Sequence, residues 1–218
     1  MTLKNRNTRN TLNIVILLAI FISLFLNPIP ALAIGDNPSL PAFLDFSLSI
    51  QNGDASVLRG VYASNVMALP IVQQPYGNAS YVSNNEGEIT QFRMASQFGN
   101  IGLLAHNHLS GRDFSQLAVG QEIRLVYGDG YIETFVVTEV LHFQALQPTS
   151  PYSSFRNLDK DETLSAENMF KRVYFGDRHV TFQTCIEKDG ELSWGRLFVI
   201  AIPKSEFAGF DFLDQINQ

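Results

Sequence analysis

The stretch from Val180 to Ile200, VTFQTCIEKDGELSWGRLFVI, constrains this chain more than any other. Two arms of β-branched and aromatic residues flank Asp189-Gly190, the dipeptide that best supplies the two positive φ angles of a tight hairpin turn. A turn centred there pairs residues whose numbers sum to 379. That sets Cys185 opposite Trp194 and Gln183 opposite Arg196, with Arg196 diagonally across from Cys185 on one face, about 7 to 8 Å away. Alternation puts Thr181, Gln183 and Cys185 on the more polar face. Val180, Phe182, Thr184 and Ile186 form the more apolar face, which is expected to meet a core.

The rest of the chain repeats this grammar. Short runs of β-formers occur at Val57 to Val61, Val66 to Gln73, Glu88 to Met94, Asn100 to Ala105, Glu122 to Tyr127 and Ile132 to Phe143. Turn clusters separate them, among them Gly128-Asp129-Gly130, a second clear hairpin signal. With the last hairpin these runs make about eight strands in a mostly β chain, which suits an antiparallel sandwich or barrel. Phe43 to Ile50 fits a helix turn or a strand. Gln147 to Phe155, rich in Pro, Ser and Tyr, reads as an irregular loop. Ala166, Met169, Phe170 and Val173 recur at helical spacing behind Ser165, an N-cap residue. One long excursion therefore separates the strand ending near Phe143 from the one starting at His179, a length typical of walls or lids over a site.

The chain has 218 residues and 45% hydrophobic content, enough for one globular domain and too apolar for a disordered chain. Residues 1–33 read as a secretory signal: Lys4, Arg6 and Arg9, an apolar run from Ile14 to Leu26, then Ala31-Leu32-Ala33 with cleavage after Ala33. An uncleaved anchor is the rival, and membrane association is expected only in that case. Residues 34–55 form a lead-in, 56–204 the β domain and 205–218 an aromatic-rich tail expected to pack on it. Removal of residues 1–33 takes away three basic and no acidic residues, so the net charge of −6 becomes −9 over 185 residues. An acidic exported domain is a poor partner for nucleic acid or anionic lipid.

One cysteine in an exported chain forms no intramolecular disulfide, so Cys185 is a packing residue, an intermolecular link or a reactive thiol. The thiolate is the nucleophilic form, and a neighbouring cation lowers a thiol's pKa from about 8.5. Arg196 sits in an otherwise apolar strand; it is a snorkelling surface residue or a donor for an oxyanion beside the thiol. Of four histidines, His106 and His108 stand where an apolar strand runs into polar residues, well placed to face a cleft. Parity does not separate them. His142 and His179 read as surface or loop residues. His106-Asn107-His108 is also a fragment of a metal site, but no further ligands follow at a recognisable spacing. No metal and no cofactor is expected. Trp194 is either a groove floor or packing.

Thr181-Phe182-Gln183-Thr184-Cys185 followed by Arg196-Leu197-Phe198-Val199 resembles the nucleophile and arginine segments of sortases, the cysteine transpeptidases of bacterial surfaces. Leu103-Leu104-Ala105-His106, followed by Phe114, Leu117 and Gly120-Gln121-Glu122-Ile123, resembles the sortase segment with the catalytic histidine. The likeness spans roughly Val66 to Pro203. Phe182 stands where leucine is usual, and Ala105 replaces the glycine that commonly precedes the histidine.

The resemblance implies a sortase-like closed antiparallel β-barrel of about eight strands with one or two short helices. It also implies that Cys185 attacks a peptide bond in a sorting motif to give a thioacyl enzyme, with His106 as general acid and base and Arg196 on the oxyanion. Trp194, Thr184 and Gln183 are the candidate substrate-binding residues. The implied partners are a peptide or protein bearing a sorting motif and an amine acceptor of cell-wall or pilin type, at the cell surface or outside the cell. The alternatives are a cysteine peptidase that uses water, and a secreted β-barrel binding module without turnover.

Overall fold

The computed structural model describes residues 40–207. The leader at 1–33 and all but the first residues of the 205–218 tail lie outside the described residues. Four helices lie wholly within the described residues: α1 (Phe43–Ile50), α2 (Arg93–Ser96), α3 (Gly111–Phe114) and α4 (Ala166–Tyr174). The strands are β1 (Leu58–Ala63), β2 (Met67–Gln73), β3 (Ile89–Phe92), β4 (Ile101–Leu104), β5 (Glu122–Tyr127), β6 (Ile132–Ala145), β7 (Phe155–Asn157), β8 (Thr163–Leu164), β9 (Val180–Lys188) and β10 (Glu191–Pro203).

The strands run in the order β10-β9-β4-β3-β2-β1-β5-β6, and β6 pairs back onto β10. Eight strands thus close into a barrel with no free edge among them, while β7 and β8 extend from the end of β6. The expectation of a mostly β, closed eight-stranded barrel is met, but the barrel is mixed rather than antiparallel. β2 pairs with β3, and β4 with β9, in parallel. Parallel neighbours need a crossover of a dozen or more residues, and residues 74–88 and the long excursion before β9 provide it. Residues 147–154 are irregular as expected, and Phe155 begins β7, after which the excursion holds β8 and α4.

Inward residues of all eight strands form one core, including Val61, Ile71, Ile89, Leu103, Ile123, Val137, Phe182 and Val199, none more than 1% exposed. Phe182 meets Phe114 of α3 edge-on, with ring centroids 5.2 Å apart. A second cluster, of Phe143, Met169, Val173, Tyr174 and Phe198, lies between the outer face of the sheet and α4.

Residues 43–50 resolve as helix α1, lying on β1 where Gly60 leaves room for Phe46 and Ile50. Ser165 caps α4 by accepting from the Asn168 N–H at 3.2 Å, and Glu167 pairs with Lys171 one turn on. The far end of α4 is pinned to the sheet by Asn100, whose Nδ2 donates to the Tyr174 carbonyl and whose Oδ1 accepts from the His179 N–H. His179, expected as a surface or loop residue, does lie in the loop before β9 but is only 7% exposed, with its ring nitrogens against the carbonyls of Asp177 and Val173. The open C-terminal carbonyls of α4 draw the ring inward, because a buried helix end needs donors.

Phe182 is completely buried between barrel and α3, so Phe182→Ala is expected to lower unfolding free energy by about 3–5 kcal/mol. Urea denaturation reads this directly, and a loss under about 1 kcal/mol contradicts the core described here.

Candidate active site

Both central residues of the β9–β10 turn have positive φ, 54° at Asp189 and 84° at Gly190, as the Asp-Gly signal requires. Glu191 pairs with Lys188, in the expected register. Between Glu191 and Gly195 the ladder then slips: Gly195 faces Ile186 and Arg196 faces Cys185. Two extra residues on β10 form a bulge, so parity is kept while the pairing shifts. Arg196, not Trp194, is the direct partner of Cys185. Trp194 sits in the bulge, where the Lys188 ammonium lies 4.7 Å from its ring centroid.

Strand β9 lies between β10 and β4. On the β4 side the parallel register pairs Leu104 with Gln183, and the Ala105 N–H extends the ladder to the Gln183 carbonyl at 3.3 Å. Continued two positions, that register would run from Cys185 to His106, but β4 ends at Leu104 and the ladder at Ala105. The chain turns there, as the Leu109 and Gly111 N–H groups close onto the His106 carbonyl at 3.0 and 2.9 Å. Cys185 therefore stands on the middle strand, with Arg196 its direct partner on one side and the turn that begins at His106, just past the end of β4, on the other.

The face these residues share is the outer one. Val180 and Phe182 of β9, Leu197, Val199 and Ala201 of β10, Ile101 and Leu103 of β4, and Ala105 just after it all belong to the barrel core. Alternate residues, including Gln183, Cys185 and Arg196, point the other way, and Cys185 is half-buried. Thr184 has the opposite parity and is buried against α3. Its Oγ1 has no hydrogen-bond partner among the described residues. It is therefore not on the face that carries Cys185.

His106 is half-buried, and its ring stacks on that of His108 with centroids 5.4 Å apart. Burial, and after it the like charge of His108, holds the His106 imidazole below the ordinary histidine value, against the Val82 backbone carbonyl, which favours the protonated ring. At neutral pH this histidine is a neutral base. His108 is exposed, and His142 half-exposed, 3.6 Å from Asp159. Among the described residues no three His, Cys, Asp or Glu side chains converge as metal ligands do.

The Arg196 guanidinium uses Nη1 to bond the Ser193 and Gly195 carbonyls at 2.9 and 2.8 Å, which holds it against the bulge. Arg196 also lines a groove of about 200 Å³ between the outer sheet face and α4. Phe92, Phe155, Met169, Phe170 and Phe198 give this groove apolar walls, and Gln183 and Arg196 add polar groups; Cys185, the partner of Arg196, is not itself among the lining residues. Burial keeps the Tyr174 hydroxyl protonated, and it donates to Gln183 Oε1 at 2.6 Å. That bond orients the amide and leaves Nε2 as the donor edge. Trp194 and Thr184 do not line the groove.

Gly111 is a site residue that the sequence marks only as part of a turn. A Cβ there would meet Thr184 Oγ1 at 2.3 Å and the His106 and Ala105 carbonyls at 2.7 and 2.8 Å. Only glycine lets α3 approach β9 and the His106 turn this closely.

No family model matches this chain, and no curated protein matches it. Solved structures similar to it are sortases. A Clostridium perfringens sortase D5 transpeptidase is 15% identical, with 75% of this chain and 89% of that one covered at a TM-score of 0.44. Sortase C1 from Streptococcus suis is 12% identical, with 73% and 78% covered at 0.46. Clostridium perfringens sortase C with the C-terminal cell wall sorting motif is 16% identical, with 72% and 74% covered at 0.44. At this identity and overlap, likeness of shape does not carry an activity across.

His108→Ala removes both a like charge and some cover from His106, and the two changes act with the same sign. The His106 ring is expected to titrate at higher pH in this variant, as followed by NMR; an unchanged or lower midpoint contradicts the electrostatic account. Gly111→Ala is expected to cost about 1–3 kcal/mol of stability by overpacking, measured by denaturant unfolding.

Proposed function

We propose that this chain is a sortase-like cysteine transpeptidase that cleaves a peptide bond in a sorting motif and passes the acyl group to an amine. The observation that carries this reading is the pairing of Cys185 with Arg196 across β9 and β10, with the His106 turn following the end of the β4 ladder on the other side of β9. A thiol with a neutral imidazole on one side and a guanidinium on the other has the parts that acyl transfer needs.

His106 takes the proton of Cys185, and the thiolate attacks the scissile carbonyl. Negative charge moves to the carbonyl oxygen, where the Arg196 edge not bound to Ser193 and Gly195 supplies donors. The protonated His106 gives its proton to the departing amine, the C–N bond breaks and a thioester to Cys185 remains. An incoming amine loses a proton to His106 as it attacks that thioester, which returns the thiol. The apolar groove suits a large aliphatic or aromatic side chain of the peptide, and the Gln183 Nε2 edge suits a backbone carbonyl. Trp194, held in the bulge, stands apart from that groove.

The acceptor is an amine of cell-wall or pilin type. Residues 1–33 act as an export leader, so the enzyme works at the cell surface or outside the cell. No helix among the described residues is long and apolar enough to cross a membrane.

The test is to incubate residues 34–218 with a library of sorting-motif peptides and read intact mass with and without an added amine. The expected result is a hydroxylamine-sensitive acyl adduct on Cys185, absent in Cys185→Ala, and an amine-dependent transfer product. Hydrolysis alone, even with amine in excess, makes the protein a peptidase. Binding of peptide without any adduct makes it a binding module.

A further inference from the structure

The sheet does not by itself fix how far His106 stands from Arg196. The last ladder bond on the β4 side is Ala105 N–H to the Gln183 carbonyl, so His106 has already left the sheet. Arg196 belongs to β10, two strand spacings away, or about 9.5 Å between backbones. Catalysis by an imidazole and a guanidinium on opposite sides of one sulfur depends on that span to a fraction of an ångström.

One contact closes it. The Asn107 Nδ2 donates to the Leu192 carbonyl at 3.1 Å across 85 positions of sequence, from the turn after β4 to the bulge of β10. Leu192 lies between Glu191, which faces Lys188, and Gly195, which faces Ile186, so the contact passes β9 just beyond Cys185. The other end of the same amide is also committed, since Oδ1 accepts from the His108 N–H at 3.1 Å. Two bonds of opposite polarity set the amide in one orientation. On the far side, Arg196 Nη1 grips the carbonyls of Ser193 and Gly195, which follow Leu192 in the bulge. A short path of covalent and hydrogen bonds therefore joins the two flanks: His106, Asn107, the Leu192–Ser193 backbone, Arg196.

We infer that Asn107 is a positioning residue, which sets the span between His106 and Arg196 by tying the turn after β4 to the bulge of β10. The bulge thereby has a purpose beyond shifting the register, because it carries two outward carbonyl groups to partners on either side of the thiol. The tie uses only the backbone of Leu192, whose side chain is 47% exposed. This inference rests on the reading of Cys185, His106 and Arg196 as one site.

The test measures alkylation of Cys185 by iodoacetamide against pH in the full chain without its leader, and needs no substrate. Asn107→Ser keeps an acceptor for the His108 N–H but is too short to reach Leu192. Asn107→Thr does the same and guards against a folding defect peculiar to one variant. Asn107→Gln keeps an amide donor, and Leu192→Ala leaves the carbonyl in place. Asn107→Ser and Asn107→Thr are expected to slow alkylation at neutral pH by about threefold to tenfold, the range of one lost hydrogen bond, and to displace the pH profile. Asn107→Gln is expected to recover much of the rate, and Leu192→Ala to stay near the native value, with melting temperatures close to native throughout. Native rates and profiles in both short variants, while His106→Ala and Arg196→Ala slow the reaction, overturn the role of Asn107 and leave the site intact. If His106→Ala and Arg196→Ala also change nothing, the site itself is refuted and the tie with it.

Discussion

The hydrogen-bond ladder on both sides of β9 is the constraint on which the site depends. A strand paired with β4 on one edge and β10 on the other cannot slide without breaking both ladders, so the neighbours of Cys185 are set by register rather than by the flexibility of side chains. Because the side-chain period is two, the same registers decide which residues enter the barrel core and which face α4. Phe182 and Thr184 go inward, Gln183 and Cys185 outward, and the inward residues anchor the strand that presents the thiol. Core and site are two faces of one strand.

The outer face becomes a groove only because α4 lies over it. Asn100 and His179 fasten the C-terminal end of that helix to the starts of β4 and β9, and Thr181 donates to the Val173 carbonyl from below. Met169, Val173 and Tyr174 then fill the space above Phe198 and Phe143. The apolar wall thus meets the polar pair of Gln183, two residues before Cys185 on β9, and Arg196, its partner on β10. On the opposite side Gly111 lets α3 press close behind Thr184, which leaves the His106 turn little freedom to move.

Much of this was legible in the sequence, for reasons that can be named. Asp189-Gly190 specifies a turn whose backbone few other dipeptides adopt, and alternation along VTFQTC separates core face from site face without any tertiary information. The bulge was not legible. Ser193-Trp194-Gly195 carries no residue that must leave the ladder, and the slip follows from how β10 meets β6 and from the carbonyls that Arg196 and Asn107 hold. Since the slip is two residues, Arg196 kept its face while Trp194 lost its place opposite Cys185. The parallel pairings were hidden as well, because a short apolar run such as Ile101–Leu104 reads the same in either direction. That His179 is a loop residue was legible, but its burial was not, because the Val173 carbonyl that holds its ring belongs to a helix end brought there by the fold. For Thr184, its place beside Cys185 in sequence suggested a role that its parity denies.

The central claim is that His106, Cys185 and Arg196 stand in one row, with imidazole and thiol close enough to sense each other's charge. The most direct measurement follows the His106 ring by NMR through a pH titration, in the native protein and in Cys185→Ala. Two groups close enough to interact titrate as a coupled pair. The account predicts a second inflection in the His106 signal where the thiol ionises, lost when Cys185 is replaced. A His106 curve with one inflection, identical in both proteins, contradicts it.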